Sequence, residues 1–149
     1  MQKVSGVHIW LILMKAFHSI DARVSRILRE SQLGDSDFRV LEALLHKGPM
    51  PVNTIGEKVF LTSGSISTAV DRLLKRGLVV RPDNKDDRRV RIVELTAKGQ
   101  KLISKLFSAH AQEIEALASV LSAEERSALV ESLKKLGKHA AHDLQNERE

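Results

Sequence analysis

The chain has no cysteine and no tyrosine, one tryptophan, four phenylalanines and three prolines among its 149 residues. Without cysteine there is no disulfide, no thiolate metal site, no thiol redox sensor and no cysteine nucleophile. Scarce aromatics leave Leu, Val, Ile and Ala to supply most of an apolar content of 42%, a mix that favours helices over a β-sandwich. Set against 29% charged residues, that share describes a packed domain and not a disordered chain. The length suits one domain with helical extensions. Long hydrophobic runs are missing too. Val7–Met14 is the one stretch that resembles a targeting core. It is too short to span a bilayer, no small-x-small cleavage site follows it, and Lys15, Asp21 and Arg23 come next. No membrane association and a cytoplasmic location are expected. The motifs of common catalytic sites are also absent: no Gly-rich phosphate loop, no Gly-x-Ser-x-Gly and no His-Glu-x-x-His. Neither an enzyme nor a cofactor is expected.

Charge is present, and it is unevenly placed. The net charge is +5, which admits anionic partners without naming one. From Lys58 to Lys101 there are 11 Lys/Arg against 5 Asp/Glu, while the remaining residues hold 13 against 14. The whole positive excess lies in one middle segment. A solvated lysine-rich face is the plain alternative, but clustering of this kind favours a polyanion footprint.

Hydrophobic spacing organises the chain. Trp10, Leu13, Phe17, Ile20, Val24 and Ile27 recur at three and four residues, a helical stripe of about five turns. Val7, Ile9, Leu11, Ile12 and Met14 add apolar side chains on its other faces. A helix apolar nearly all round must be covered on several sides, and a second subunit explains this better than a small domain's own core. Leu33-Gly34-Asp35 ends this helix, and Ser36 is expected to cap the next, with Phe38, Leu41, Leu44 and Leu45 buried and Gly48-Pro49 as its stop. A short helix fits Val52, Ile55 and Val59. Thr62 caps another, with Ile66, Val70, Leu73 and Leu74 inward, ending at Gly77. Leu78–Arg81 and Val90–Leu95 are rich in β-branched residues and flank a polar stretch from Pro82 to Arg89, which predicts a two-stranded hairpin with a long charged tip. Thr96 then caps a helix carrying Leu102, Leu106, His110, Ile114, Leu117 and Leu121. Ser122 and Glu125 form a capping box for a last helix with Leu129, Leu133, Leu136 and Ala140 on one face.

Three short helices before a charged hairpin make a winged helix-turn-helix, and the predicted class is mostly α with a small β wing. Gly56 leaves room where two helices must cross closely. Thr62, Ser63, Gly64, Ser65, Ser67 and Thr68 open the second helix of the pair. Small side chains let a helix enter the major groove, and hydroxyls bond base edges or phosphates. Arg72, Lys75 and Arg76 follow where phosphates would lie, although Arg76 before Gly77 also complements the helix dipole. At the hairpin tip Asp87, Arg88 and Arg89 place two guanidinium groups beside carboxylates. Arginine gains from the negative potential of a narrow minor groove, and an adjacent aspartate orients it.

These residues resemble the MarR (multiple antibiotic resistance regulator) family of bacterial winged-helix repressors. The resemblance extends over nearly the whole chain and is sharpest in three runs: Leu73-Leu74-Lys75-Arg76-Gly77-Leu78-Val79, Asp86-Asp87-Arg88-Arg89, and Val93-Glu94-Leu95-Thr96-Ala97-Lys98-Gly99. It implies that Arg89 enters the minor groove with Asp87 orienting it. It also implies a dimer built from the first helix and the last two. Residues 1–32 and 97–149 would then dimerise, through Trp10, Leu13, Phe17, Leu129, Leu133 and Leu136, and residues 33–96 would bind double-stranded DNA. Leu61–Ser67 is similar to the branch of quinone- and phenol-responsive repressors, which implies a small aromatic or phenolic effector. Effectors in the family commonly bind between the dimerisation helices and the DNA-binding lobe. His8, Trp10 and His18 are candidates to line such a pocket, though apolar-face residues are more often core. No metal is expected, because His139 and His142 lack a clear third ligand. The rival function is a winged-helix module for protein–protein contact. The basic wing and a serine-rich helix without aromatic anchors speak against it.

Overall fold

The structure, a computed structural model, describes residues 4–82 and 90–146. Residues 1–112 and 113–149 form two compact units. The elements run α1 (Gly6–Glu30), α2 (Asp35–Lys47), β1 (Met50–Pro51), α3 (Val52–Lys58), α4 (Ser63–Lys75), β2 (Val79–Val80), β3 (Ile92–Leu95), α5 (Ala97–Ala118) and α6 (Ala123–Asn146).

The core of the first unit gathers Val40 and Leu41 of α2, Ile55 of α3, Ile66, Val70 and Leu73 of α4, Leu78 and Val79 at β2, Val93 of β3 and Ile103 of α5, all fully buried. Each helix contributes positions three or four apart, the spacing that sets one face inward. The winged helix-turn-helix expected from the sequence is present. Its sheet has three antiparallel strands in the order β1-β3-β2, not two. Met50 pairs with Val93 and Pro51 with Ile92, while Val79 pairs with Leu95 and Val80 with Glu94. A proline lacks a donor, so Pro51 is tolerated only because β1 is an edge strand.

Three helices end in the same way. After α1, Gln32 N donates to Arg29 O and Leu33 N to Leu28 O. After α3, Phe60 N donates to Glu57 O and Leu61 N to Gly56 O. After α4, Gly77 N donates to Leu74 O and Leu78 N to Leu73 O. All three are Schellman closures, which need a left-handed residue just beyond the helix. Gly77 takes it at φ 65°, as glycine does freely, but Gln32 and Phe60 take it at 57° and 56°, where a Cβ is strained by about 1–2 kcal/mol. Phe60 is also 90% exposed, so its ring returns little packing energy. Phe60→Gly is therefore expected to raise stability by about 0.5–1 kcal/mol, the relief of strain less the glycine's extra unfolded-state entropy. A lower denaturation midpoint in urea would show that the ring is held by contacts that matter.

Gly34, not Ser36, caps α2. Ser36 lies one residue inside the helix, where its hydroxyl serves a different purpose described below. In the second unit the expected capping box is formed: Ser122 N donates to Glu125 Oε2 at 2.8 Å and Glu125 N to Ser122 Oγ at 3.3 Å. Arg126 pairs with Glu115 at 2.6 Å across the turn between α5 and α6. Hydrogen bonds from its own backbone N–H and from the Ser122 hydroxyl hold the Glu124 carboxyl below the ordinary glutamate range. That contribution to the α6 terminus is complete above the ordinary glutamate pKa and is lost as pH falls through the lowered one.

Candidate nucleic-acid interface

Helix α4 divides cleanly into two faces. Ile66, Ala69, Val70 and Leu73 are buried, whereas Ser63, Gly64, Ser65, Ser67 and Thr68 are exposed. At its start Thr62 Oγ1 accepts from Ser65 N at 3.2 Å and donates its own proton to Ser65 Oγ at 2.9 Å. The Ser65 proton is thereby left to point outward. Thr68 donates back to Gly64 O at 2.9 Å, so its hydroxyl offers only lone pairs to a ligand. The exposed face thus mixes donors and acceptors on side chains too short to hold the helix away from a partner. Gly56 of α3 makes this geometry possible: a Cβ there would meet Ile66 Cγ2 at 3.3 Å and Leu61 O at 3.4 Å.

Arg72, about one turn beyond Thr68, is fastened to α2. Its Nε donates to Asp37 Oδ1 and Oδ2 at 3.1 and 3.3 Å, and its Nη2 donates to Oδ1 at 2.6 Å and to Ser36 Oγ at 3.0 Å. The bond to Asp37 raises the Arg72 pKa. The Asp37 side chain is 5% exposed and that of Arg72 45%, and the difference fixes an asymmetry. Removing the arginine strands a buried carboxylate, whereas removing the carboxylate leaves a guanidinium that water can reach. Arg72→Met should cost about 2–4 kcal/mol and Asp37→Asn about 1 kcal/mol in chemical denaturation. Equal losses would mean that burial does not govern this pair. One turn beyond, Arg76 Nη1 donates to Gln32 O at 2.9 Å, so α4 grips both sides of the α1–α2 junction.

At the other flank of α4 a cleft of about 450 Å³ opens between α3, α4 and the sheet. Asn53, Thr54, Ser67, Arg81 and Arg91 face it. Arg81 pairs with Asp71 at 3.2 Å, and its Nε is buried without a hydrogen-bond partner among the described residues. The cleft is rich in donors and carries two guanidinium groups, chemistry suited to phosphate.

The run from Thr96 to Gly99 holds α5 against the exit of α4. Thr96 N donates to Leu78 O at 3.1 Å, and its hydroxyl donates to Gly77 O at 2.8 Å while accepting from Gly99 N at 3.0 Å. Lys98 Nζ reaches Arg76 O at 2.9 Å. Gly99 lies directly on the Leu78 carbonyl, with no room for a Cβ.

A family model for the MarR family matches residues 31–90. Over 135 residues the chain is 39% identical to the HTH-type transcriptional regulator MhqR of Bacillus subtilis (strain 168), covering 91% of this chain and 93% of that protein. The chain belongs to the MarR family. It is a helix-turn-helix transcriptional regulator, and the family is not one of enzymes. It is also 32% identical to the regulator YkoM of the same strain over 139 residues, 93% of this chain and 90% of that one. Among solved structures, NadR in complex with 4-hydroxyphenylacetate aligns with a TM-score of 0.74 at 26% identity, covering 93% of this chain and 96% of that chain.

Within this MarR-family fold the residues expected from the sequence are placed as follows. Thr62, Ser63, Ser65, Ser67 and Thr68 share the open face of α4, with Arg72 at its edge. Asp87, Arg88 and Arg89 lie outside the described residues. Trp10 and Phe17 are well exposed on α1 and Leu13 is half-buried, while Leu129, Leu133 and Leu136 are exposed on α6. His8 and His18 are exposed on α1. Asp37, Asn53, Thr54, Arg81 and Arg91 were missed. Only Asp37 left a trace: it precedes Leu41 and Leu44 at helical spacing, an acid on an otherwise apolar face.

Proposed function

We propose that this regulator binds double-stranded DNA as a homodimer, with α4 of each copy in one major-groove half-site and Arg88 and Arg89 entering the flanking minor groove beside Asp87. The open, hydroxyl-bearing face of α4 carries this reading, since its short polar side chains are exposed together where a helix can lie against base edges. Thr62, Ser63, Ser65, Ser67 and Thr68 are assigned to bases and nearby phosphates. Arg72 keeps Nη1 for a phosphate while its other nitrogens hold α2.

The second copy is assigned to the apolar surface that the chain leaves open. On α1, Val7, Trp10, Met14 and Phe17 lie on one face and are between 45% and 70% exposed; on α6, Leu129, Leu133 and Leu136 are exposed by 41–48%. Surfaces of this kind are seldom left to solvent. Residues 1–32 and 97–149 are the dimerising parts in this reading and 33–96 the reading head. Two-fold symmetry then calls for a pseudo-palindromic operator with half-sites ~10 bp apart or a multiple of that. Repression in the cytoplasm, relieved by a small aromatic or phenolic effector, completes the proposal. It draws on the family and on NadR, which is seen with 4-hydroxyphenylacetate.

The test separates two kinds of contact. Arg91→Ala, in the donor-rich cleft, should weaken all duplexes alike and lower the slope of log K against log salt by about 1. Arg89→Ala should weaken operator binding on the order of tenfold to a hundredfold. Wild-type affinity for the Arg89 variant would remove the wing from the interface.

A further inference from the structure

The turn from α3 into α4 is closed by Phe60, and folding alone does not account for a phenylalanine there. Its φ of 56° is an angle that glycine takes freely, and its ring is 90% exposed. Packing of Leu61 explains why the closure forms, but not why its residue carries a ring. The same closure after α4 uses Gly77. Gln32, at the closure after α1, is exposed as well, but its side chain is polar. A single exposed apolar residue is ordinary on a protein surface. One kept at a strained backbone angle is not, and strain of this kind gathers where a binding group must be held in place.

The turn is firmly built. Leu61 N donates to Gly56 O at 2.9 Å, and Arg39 Nη1 of α2 donates to Val59 O at 3.3 Å. The ring is therefore presented on a fixed backbone, three residues ahead of Ser63, where the open face of α4 begins. Phe60, Thr62, Ser63, Gly64 and Ser65 are all exposed. The exposed residues on either side of Phe60 in the chain, Glu57, Lys58, Thr62 and Ser63, are polar. That setting suits one small apolar contact better than an apolar patch covered by a protein partner.

Phe60 also supplies what the α4 face lacks. Serine hydroxyls both donate and accept, so they bond to any base edge and discriminate weakly. Thymine alone among the four bases shows a C5-methyl group in the major groove, and apolar side chains recognise it. We infer that Phe60 is a specificity-determining residue of the DNA interface, its ring lying against the methyl group of a thymine at the edge of the half-site that α4 reads. The inference rests on the α4 reading above and adds a base preference to it.

Full-length wild type and Phe60→Gly would each select bound duplexes from a random-sequence library. Wild type is expected to enrich a two-fold symmetric consensus containing a thymine for which the variant has lost its preference. Replacing that thymine by deoxyuridine in one half-site deletes only the methyl group. It should weaken wild type about three- to fivefold, the scale of burying one methyl group, and leave Phe60→Gly unaffected. Phe60→Gly should bind the wild-type consensus on the order of tenfold more weakly and scrambled duplex as wild type does. Its urea midpoint, expected above that of wild type, separates this loss from unfolding. A wild-type consensus in which every thymine tolerates uracil would overturn the inference and leave the α4 reading in place. So would a methyl effect of equal size in Phe60→Gly. Failure of wild type to select any consensus would overturn both.

Discussion

Gly99→Ala is expected to lower the stability of the fold by about 3–5 kcal/mol, a large fraction of the total for a domain of this size. The cause is a backbone collision and not a lost contact. A Cβ at position 99 would overlap the carbonyl of Leu78, and that carbonyl cannot swing aside, because it accepts the hydrogen bond from Thr96 N. Moving it would also disturb the Gly77 carbonyl held by the Thr96 hydroxyl. Helix α5 would have to lift away from the end of α4, so the substitution should weaken DNA binding along with folding. Gly137→Ala is the control. It lies inside α6 with nothing within 4 Å of a Cβ, and should stabilise by about 0.5–1 kcal/mol. Urea denaturation of the two variants should shift in opposite directions. Equal small shifts would mean that α5 is free to move where it meets Leu78.

A larger effect on function is expected from a charge in the open apolar faces. Phe17→Glu on α1 and Leu133→Glu on α6 should each convert a dimer to a monomer at micromolar concentration, seen by light scattering, with helix content retained. Operator affinity should then fall by ~10²–10⁴, because the second half-site no longer binds at high effective concentration. The loss at a single half-site duplex should be slight. This contrast matters, since a variant that fails on both duplexes has lost its reading head and not its partner. A dimer that persists in both variants would remove α1 and α6 from the subunit interface.

What could be read in the sequence follows from range. Signals confined to a few residues were legible: the Thr62 cap, the Ser122–Glu125 box, Gly77 after α4, and the apolar spacing of the helices. The tight passage at Gly56 was also anticipated and is found against Ile66. The sequence points to Leu33-Gly34-Asp35 as the end of α1, but the left-handed closure falls on Gln32, and that after α3 falls on Phe60. No glycine marks either one, because packing of the following leucine onto the helix end outweighs the local strain. Strand β1 was illegible for another reason. Met50 and Pro51, directly after Gly48-Pro49, look like a turn, and only pairing with β3, some forty residues away, makes them a strand. Distance also hid the Asp37–Arg72 bond and the meeting of Asn53 and Thr54 with Arg81 and Arg91. On the α4 face the residue types alone pointed to the chemistry, and the fold then exposed them together.

The central claim, a sequence-specific dimer reading DNA through α4, is tested most directly by fluorescence anisotropy. The full chain would be titrated onto duplex from its own promoter region and onto a scrambled duplex, across a salt series. The expected result is a preference of at least ~10³-fold for the promoter, with affinity for both falling steeply as salt rises. Equal, weak and salt-labile binding to the two duplexes would contradict it.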